Sequence, residues 1–125
     1  MGRAMIFLAT LSAGCLGAVH DCPDVLFMEP ISGSGGVSFV VKDLGGQTHV
    51  LGNLGFRIEY SDGGIANGTF SDVIDGRGPP GLFYHDRQDS NALNVGDYLR
   101  DTNQTAEAIF VYREGKFVGG TVYCV

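Results

Sequence analysis

The segment from Asp86 to Asp97 has the side-chain types and spacing that point most directly to chemistry. Compared with a twelve-residue calcium loop, it has oxygen-bearing side chains at positions one, three, five, nine and twelve: Asp86, Gln88, Ser90, Asn94 and Asp97. Position eight is the apolar Leu93, and position six is Asn91, a residue that also adopts left-handed backbone. Because only two of these five side chains are carboxylates, we expect a weak calcium site. The alternative is an Asx-rich turn held by its own hydrogen bonds.

Two short motifs predict covalent modification of an exported protein. Asn67-Gly-Thr69 and Asn103-Gln-Thr105 fit the acceptor pattern for N-glycosylation, which is typical of surface loops. Cys15 follows a stretch of small residues and resembles the lipid-modified cysteine of bacterial and archaeal lipoproteins. Lipidation at Cys15 is therefore one interpretation, and a free thiol is the other.

The remaining two cysteines predict a disulfide. The chain has three cysteines, so one is left over if a single bridge forms. A bridge between Cys22 and Cys124 would connect the two ends of the domain. In the chain-entropy model, closing a loop of about 100 residues contributes roughly 4 kcal/mol to stability.

The sequence contains none of the common catalytic motifs. It lacks G-x-S-x-G, H-E-x-x-H and a Walker A sequence. Its three histidines are scattered and no C-x-x-C pair occurs, which argues against a zinc site. A Cys/His pair of Cys124 and His85 would compete with the disulfide for Cys124. We therefore expect a protein that is not an enzyme and that needs no cofactor other than calcium.

Alternating apolar residues predict the strands that must position these side chains. Val37, Phe39 and Val41 lie on one face of a predicted strand, and the segment Leu54–Tyr60 alternates in the same way. The other predicted strands are Val25–Glu29, a weaker one over Thr69–Ile74, Leu82–His85, and a terminal hairpin of Ala106–Tyr112 and Lys116–Tyr123. Short strands at this spacing predict an all-β fold, an Ig-like antiparallel β-sandwich of about seven to eight strands.

The N-terminus has the composition of a targeting segment. Arg3 precedes sixteen uncharged residues, Ala4 to Val19, and small residues follow the apolar centre. This order predicts a signal peptide or a membrane anchor over residues 1–21, followed by the β domain over residues 22–125. The alternative is an apolar helix buried in a core. Sixteen helical residues span about 24 Å, less than the roughly 30 Å of a bilayer core.

Composition excludes several classes of protein. The chain has 125 residues, of which 20 are glycine, and a formal net charge of −6. An acidic balance argues against binding to nucleic acid, and the hydrophobic content of 44% argues against intrinsic disorder. A glycine content this high disfavours long helices and favours a turn-rich β protein. The length is typical of a single domain.

The order of the β-domain features resembles the extracellular domain of archaeal type IV pilins and archaellins. The resemblance is carried by the strand Val37 to Lys42, the pair Gly45-Gly46, the strand and turn Leu54 to Gly63, the segment Leu93-Asn-Val-Gly-Asp97, and the hairpin Ile109 to Val118. It implies an extracellular surface or filament subunit that self-associates or is anchored through its apolar N-terminus. The alternative is a membrane-anchored binding module with a weak calcium or ligand loop.

Overall fold

The computed structural model describes residues 25–88 and 90–121, which form eight strands and one short helix. The predicted anchor, Cys15, Cys22 and Cys124 lie outside the described residues. The strands are β1 (Leu26–Gly33), β2 (Gly36–Asp43), β3 (Leu54–Tyr60), β4 (Ile65–Thr69), β5 (Leu82–His85), β6 (Tyr98–Asp101), β7 (Ala106–Arg113) and β8 (Lys116–Gly120). Helix α1 spans Phe70–Ile74, and a 3-10 turn spans Leu51–Asn53.

The eight strands form one sheet, which confirms the mostly-β prediction. Their order is β4-β3-β7-β8-β1-β2-β6-β5, and the pairs are antiparallel except for β1 with β8. The Ig-like sandwich is not confirmed, because the pairing of β1 with β8 joins the strands into a single hydrogen-bonded sheet. Two glycines allow β8 to lie close to both of its neighbours, β1 and β7. A Cβ atom on Gly119 would lie 2.1 Å from the carbonyl oxygen of Leu26, and one on Gly120 would lie 2.1 Å from that of Ile109.

The sheet curls around a core formed by one face of its strands. The predicted inward residues of β2 are buried, as are Leu54, Phe56 and Ile58 of β3. One side-chain hydrogen bond shows how far the sheet bends. Tyr60 of β3 donates its hydroxyl to Asp101 of β6 at 2.5 Å, although four strands separate β3 from β6 in the sheet order.

Helix α1 corrects one of the predicted strands. The segment Thr69–Ile74 was expected to extend, but Thr69 accepts a hydrogen bond from the backbone N–H of Asp72 through its side chain. This is an N-cap interaction, and the acidic Asp72 in the first turn favours the helix further. The apolar alternation therefore ends at Thr69, and Phe70 and Val73 become the buried face of a helix.

Phe70 of α1 connects the two ends of the sheet. Its ring packs edge-on against Phe56 of β3 at 5.5 Å and against Tyr84 of β5 at 5.8 Å between ring centroids. Strands β3 and β5 lie near opposite ends of the strand order. The helix therefore holds these ends close to each other, and this junction positions the candidate site.

Two strands were not predicted from the sequence. Strand β4 has the sequence IANGT, in which apolar residues are too few to alternate. Strand β6 is only four residues long, and Asp101 occupies one of its two buried positions. The terminal hairpin is confirmed, with Glu114 and Gly115 at positive φ values of 53° and 83°. This is the geometry of a type I′ turn.

Candidate functional site

The carboxylate of Asp97 is buried and fully hydrogen-bonded. Its Oδ1 accepts from the backbone N–H of Arg87 at 2.9 Å, and its Oδ2 accepts from the Tyr84 hydroxyl at 2.7 Å and from the backbone N–H of Asn94 at 2.9 Å. These contacts join both ends of the predicted calcium-type loop to β5. Burial, together with the hydrogen bond to Asp97, raises the pKa of Tyr84 well above its usual range, so the phenol stays protonated as a donor.

A second buried carboxylate repeats this arrangement at the far end of β6. Asp101 accepts from the hydroxyl of Tyr60 and from the backbone N–H of Asn103. Burial and then the hydrogen bond to Asp101 raise the pKa of Tyr60 above its usual range. The two tyrosine–aspartate pairs therefore connect the start of β6 to its neighbour β5 and the end of β6 to β3, across the curled sheet.

Other members of the predicted calcium set form a local network. The side-chain amide of Asn94 donates to Ser90 Oγ at 2.7 Å and to the carbonyl of Ala92 at 3.1 Å. Asp86 accepts from the backbone N–H of Gln88 at 3.1 Å. The structure thus brings Ser90, Asn94 and Asp97 together and places Asp86 and Gln88 at the start of the loop.

The loop's backbone differs from the calcium-loop expectation at one position. Asn91 does not adopt positive φ; that conformation occurs at Gly96 instead, at 97°. Leu93 is buried beneath the loop, as its position predicted. In the ranges 25–88 and 90–121, no group of three or more His, Cys, Asp or Glu side chains is arranged to hold a metal ion. The calcium site stays a prediction.

An open cleft lies where the loop, α1 and β5 meet. It has a volume of about 510 Å³. Its walls include Ser71 and Ile74 of α1, Asp75 directly after α1, Phe83 and Tyr84 of β5, and Asp86 and Ser90 of the loop. Leu51 of the 3-10 turn forms part of its apolar surface. The packing of α1 between β3 and β5, which brings the two ends of the sheet together, therefore also creates a concave surface.

Most cleft residues were missed by sequence reasoning. The sequence predicts Asp86 and Ser90 as members of the calcium-type loop, but it predicts Ile74 and Phe83 only as strand residues and says nothing of a site at Asp75. The Thr69-x-x-Asp72 pattern was a usable signal for the helix. The contact between α1 and β5 depends on the curl of the whole sheet, and no local pattern carries that information.

The outer face of the sheet carries a separate aromatic cluster. Phe110, Tyr112 and Phe117 project from β7 and β8, and the rings of Tyr112 and Phe117 pack edge-on at 5.9 Å. The guanidinium of Arg57 in β3 lies 5.0 Å from the centre of the Phe110 ring. Phe117 is 44% exposed. Exposed apolar patches of this kind often mark contacts with other molecules.

Both sequon asparagines are exposed, but in different settings. Asn67 lies in β4 and is paired with Arg57 of β3 rather than in the expected surface loop. Asn103 lies in the loop after β6, and its Oδ1 accepts from the backbone N–H and the hydroxyl of Thr105 at 2.9 and 2.7 Å. Glycosylation at Asn67 and Asn103 stays a prediction.

The predicted disulfide between Cys22 and Cys124 lies outside the described residues. Among the described residues, the start of β1 lies beside the end of β8, with Leu26 next to Gly119 and Phe27 next to Gly120 in parallel strands. The bridge and the lipidation of Cys15 remain predictions.

The described residues include no helix with the length and apolar character that a membrane span needs. No known protein family, curated protein or solved structure matches this chain.

Proposed function

We propose that this chain is a non-enzymatic binding module displayed on the cell surface, with its ligand held in the cleft between α1, β5 and the Asp86–Asp97 loop. The observation that carries the proposal is the cleft itself. Its volume of about 510 Å³ falls within the range of small-molecule sites, roughly 300–1,000 Å³. The buried Asp97 carboxylate supports one wall through three hydrogen bonds, so the concave surface is preformed.

The surface location rests on the sequence. All fourteen acidic residues follow residue 20, so an apolar N-terminal segment precedes an acidic domain. The two sequons and the resemblance to archaeal pilin domains support the same location. The non-enzymatic part of the proposal rests on the lack of catalytic motifs in the sequence.

A thermal-shift screen of small molecules against the full-length chain tests the binding function. Ile74 and Phe83 are 50% and 59% exposed in the cleft, and we expect their replacement in an Ile74→Ser/Phe83→Ser variant to abolish the stabilisation by genuine ligands. The matched control is Ile31→Ser, which removes an exposed apolar side chain of β1 outside the cleft. A screen in which every hit stabilises all three proteins equally would contradict the proposal.

A second candidate is a subunit of a surface filament. It is favoured by the aromatic cluster of Phe110, Tyr112 and Phe117, which offers an apolar contact surface, and by the resemblance to archaeal pilins. Antibody labelling in negative-stain microscopy of the native cell surface tests it. Uniform labelling along filaments supports assembly, whereas labelling confined to membrane patches contradicts it.

A further inference from the structure

The charged side chains that line the cleft are acidic. Asp75 and Asp86 contribute to its walls, and no Lys or Arg of the described ranges lines it. Arg77 approaches Asp75 from outside the cleft, with Nη2 3.2 Å from Asp75 Oδ2, and it also pairs with Asp72 at 3.2 Å. Asp86 has no ion-pair partner among the described residues, so its charge is uncompensated there.

The cleft also exposes apolar surface beside these carboxylates. Phe83 is 59% exposed and Ile74 is 50% exposed, although most of the large apolar side chains of the described chain are buried. Covering such a surface with a ligand is favourable, at about 25 cal/mol per Å² of apolar area. The face of an aromatic ring such as Phe83 additionally attracts a cation within about 6 Å.

We propose that the cleft binds a small organic ammonium compound, with its charged nitrogen at Asp86 and its apolar body against Ile74 and Phe83. This inference rests on the proposed binding function and adds the chemical class of the ligand. Both features of the cleft are needed for it. A bare metal ion would leave the apolar wall exposed, and a neutral apolar compound would leave Asp86 without a partner. An anion would meet two carboxylates and no lining cation.

Three probes of equal chain length separate these classes. Isothermal titration of the full-length chain with n-hexylammonium, n-hexanol and n-hexanoate compares a cation, a neutral compound and an anion on the same alkyl body. We expect hexylammonium to bind about five- to tenfold more tightly than hexanol, since one partly exposed charge pair contributes about 1 kcal/mol. Hexanoate is expected to bind most weakly of the three.

Variants that each remove one carboxylate charge show which side chain binds the ammonium group. Asp86→Asn should bring the affinity for hexylammonium down to that for hexanol, while Asp75→Asn should lower it less, because Arg77 already offsets the Asp75 charge. Asp62→Asn removes one charge in the turn between β3 and β4, outside the cleft, and serves as the control. An equal loss in Asp62→Asn and Asp86→Asn would overturn the assignment, because it would show an effect of net charge alone.

The outcomes distinguish this inference from the binding function on which it rests. If the three probes bind equally and Phe83→Ser weakens all of them, the ammonium class is wrong and the cleft remains a binding site. If Phe83→Ser changes none of them, both proposals fail. Displacement of hexylammonium by an equimolar amount of Ca²⁺ would also overturn the ammonium class and would favour a metal site.

Discussion

At the scale of single residues, two buried aspartates at the two ends of β6 hold the surrounding structure, and Asp97 is the one beside the site. Asp97 accepts three hydrogen bonds and Asp101 accepts two, and each includes a tyrosine hydroxyl. Spacing in the sequence singled out Asp97 as a calcium ligand, which stays a prediction, and Leu93 as the apolar residue of the loop, which is buried. It could not show that backbone N–H groups and a phenol reach the Asp97 carboxylate.

Replacing Asp97 by asparagine should destabilise the fold. In Asp97→Asn, the side chain loses its charge and one of its two acceptor atoms becomes a donor, so at least one of the three buried donors loses its partner. We expect a loss of about 2–3 kcal/mol in the free energy of unfolding, measured by urea denaturation. Asp86→Asn in the same loop is the control and should change stability by less than about 0.5 kcal/mol. Equal losses in both variants would contradict the structural role of Asp97.

The tyrosine–aspartate pairs predict an alkaline loss of stability. The pKa values of Tyr60 and Tyr84 are raised in the folded protein above the unfolded value of about 10. The folded state therefore holds these protons more tightly. Their contribution is fully present below pH 10 and is lost as the pH rises through the higher folded values.

Unfolding in urea at several pH values above 10 measures this effect. In a Tyr60→Phe/Tyr84→Phe variant, stability should fall less steeply with pH than in the wild type, because two of the linked groups are gone. Tyr112→Phe, which changes a tyrosine on the outer face, should keep the wild-type slope. If the double variant also keeps that slope, the raised pKa values have no consequence for stability.

At the scale of the elements, the alternation of apolar residues predicted the long strands, whereas the N-cap at Thr69 determines helix α1. Strands β2 and β3 alternate clearly, so their inner faces could be predicted from the sequence. Strand β7 has apolar residues on both faces from Ile109 to Tyr112, so the sequence predicted the strand but not its inner face. The short β4 and β6 could not be predicted, because β4 has few apolar residues and β6 places Asp101 on its inner face. The helix at Phe70–Ile74 was missed because its apolar residues, Phe70 at the start and Val73 and Ile74 at the end, resemble a strand until the Thr69 cap is considered.

The hairpin between β7 and β8 offers a stabilising substitution. Glu114 has a φ of 53°, a left-handed conformation that is costly for most residues and less so for asparagine. We expect Glu114→Asn to increase the free energy of unfolding by about 0.5–1 kcal/mol, measured by urea or thermal denaturation. The same change at Glu107, an exposed residue within β7, should give no gain. A gain at Glu107 equal to that at Glu114 would show that loss of negative charge is the cause.

At the scale of the whole molecule, the cleft is a product of the curled sheet. Phe70 packs between β3 and β5, so residues far apart in the strand order come to line one concave surface. Asp86 and Ser90 were found from the sequence as members of a loop, but their neighbours Ile74 and Phe83 depend on a contact between distant elements. Local sequence patterns do not encode that contact.

The predicted calcium site has a simple test on the intact protein. If the Asp86–Asp97 loop binds Ca²⁺ with a dissociation constant of about 1 mM, 10 mM Ca²⁺ should stabilise the fold by about 1.4 kcal/mol and raise Tm by several degrees over EDTA. Asp86→Asn should reduce the shift, whereas Asp43→Asn, outside the loop, should not. A wild-type Tm that is the same in Ca²⁺ and in EDTA would leave the Asx-rich turn as the interpretation.

The central claim, that the cleft beside α1 is the binding site, is tested most directly by two-dimensional ¹H–¹⁵N NMR of the full-length chain titrated with n-hexylammonium. We predict saturable shifts confined to the amides of residues 51–52, 71–75, 83–86 and 90–91, the segments that contain the cleft-lining side chains. Shifts centred on Phe110, Tyr112 and Phe117 of the outer face, or shifts that never saturate, would contradict it.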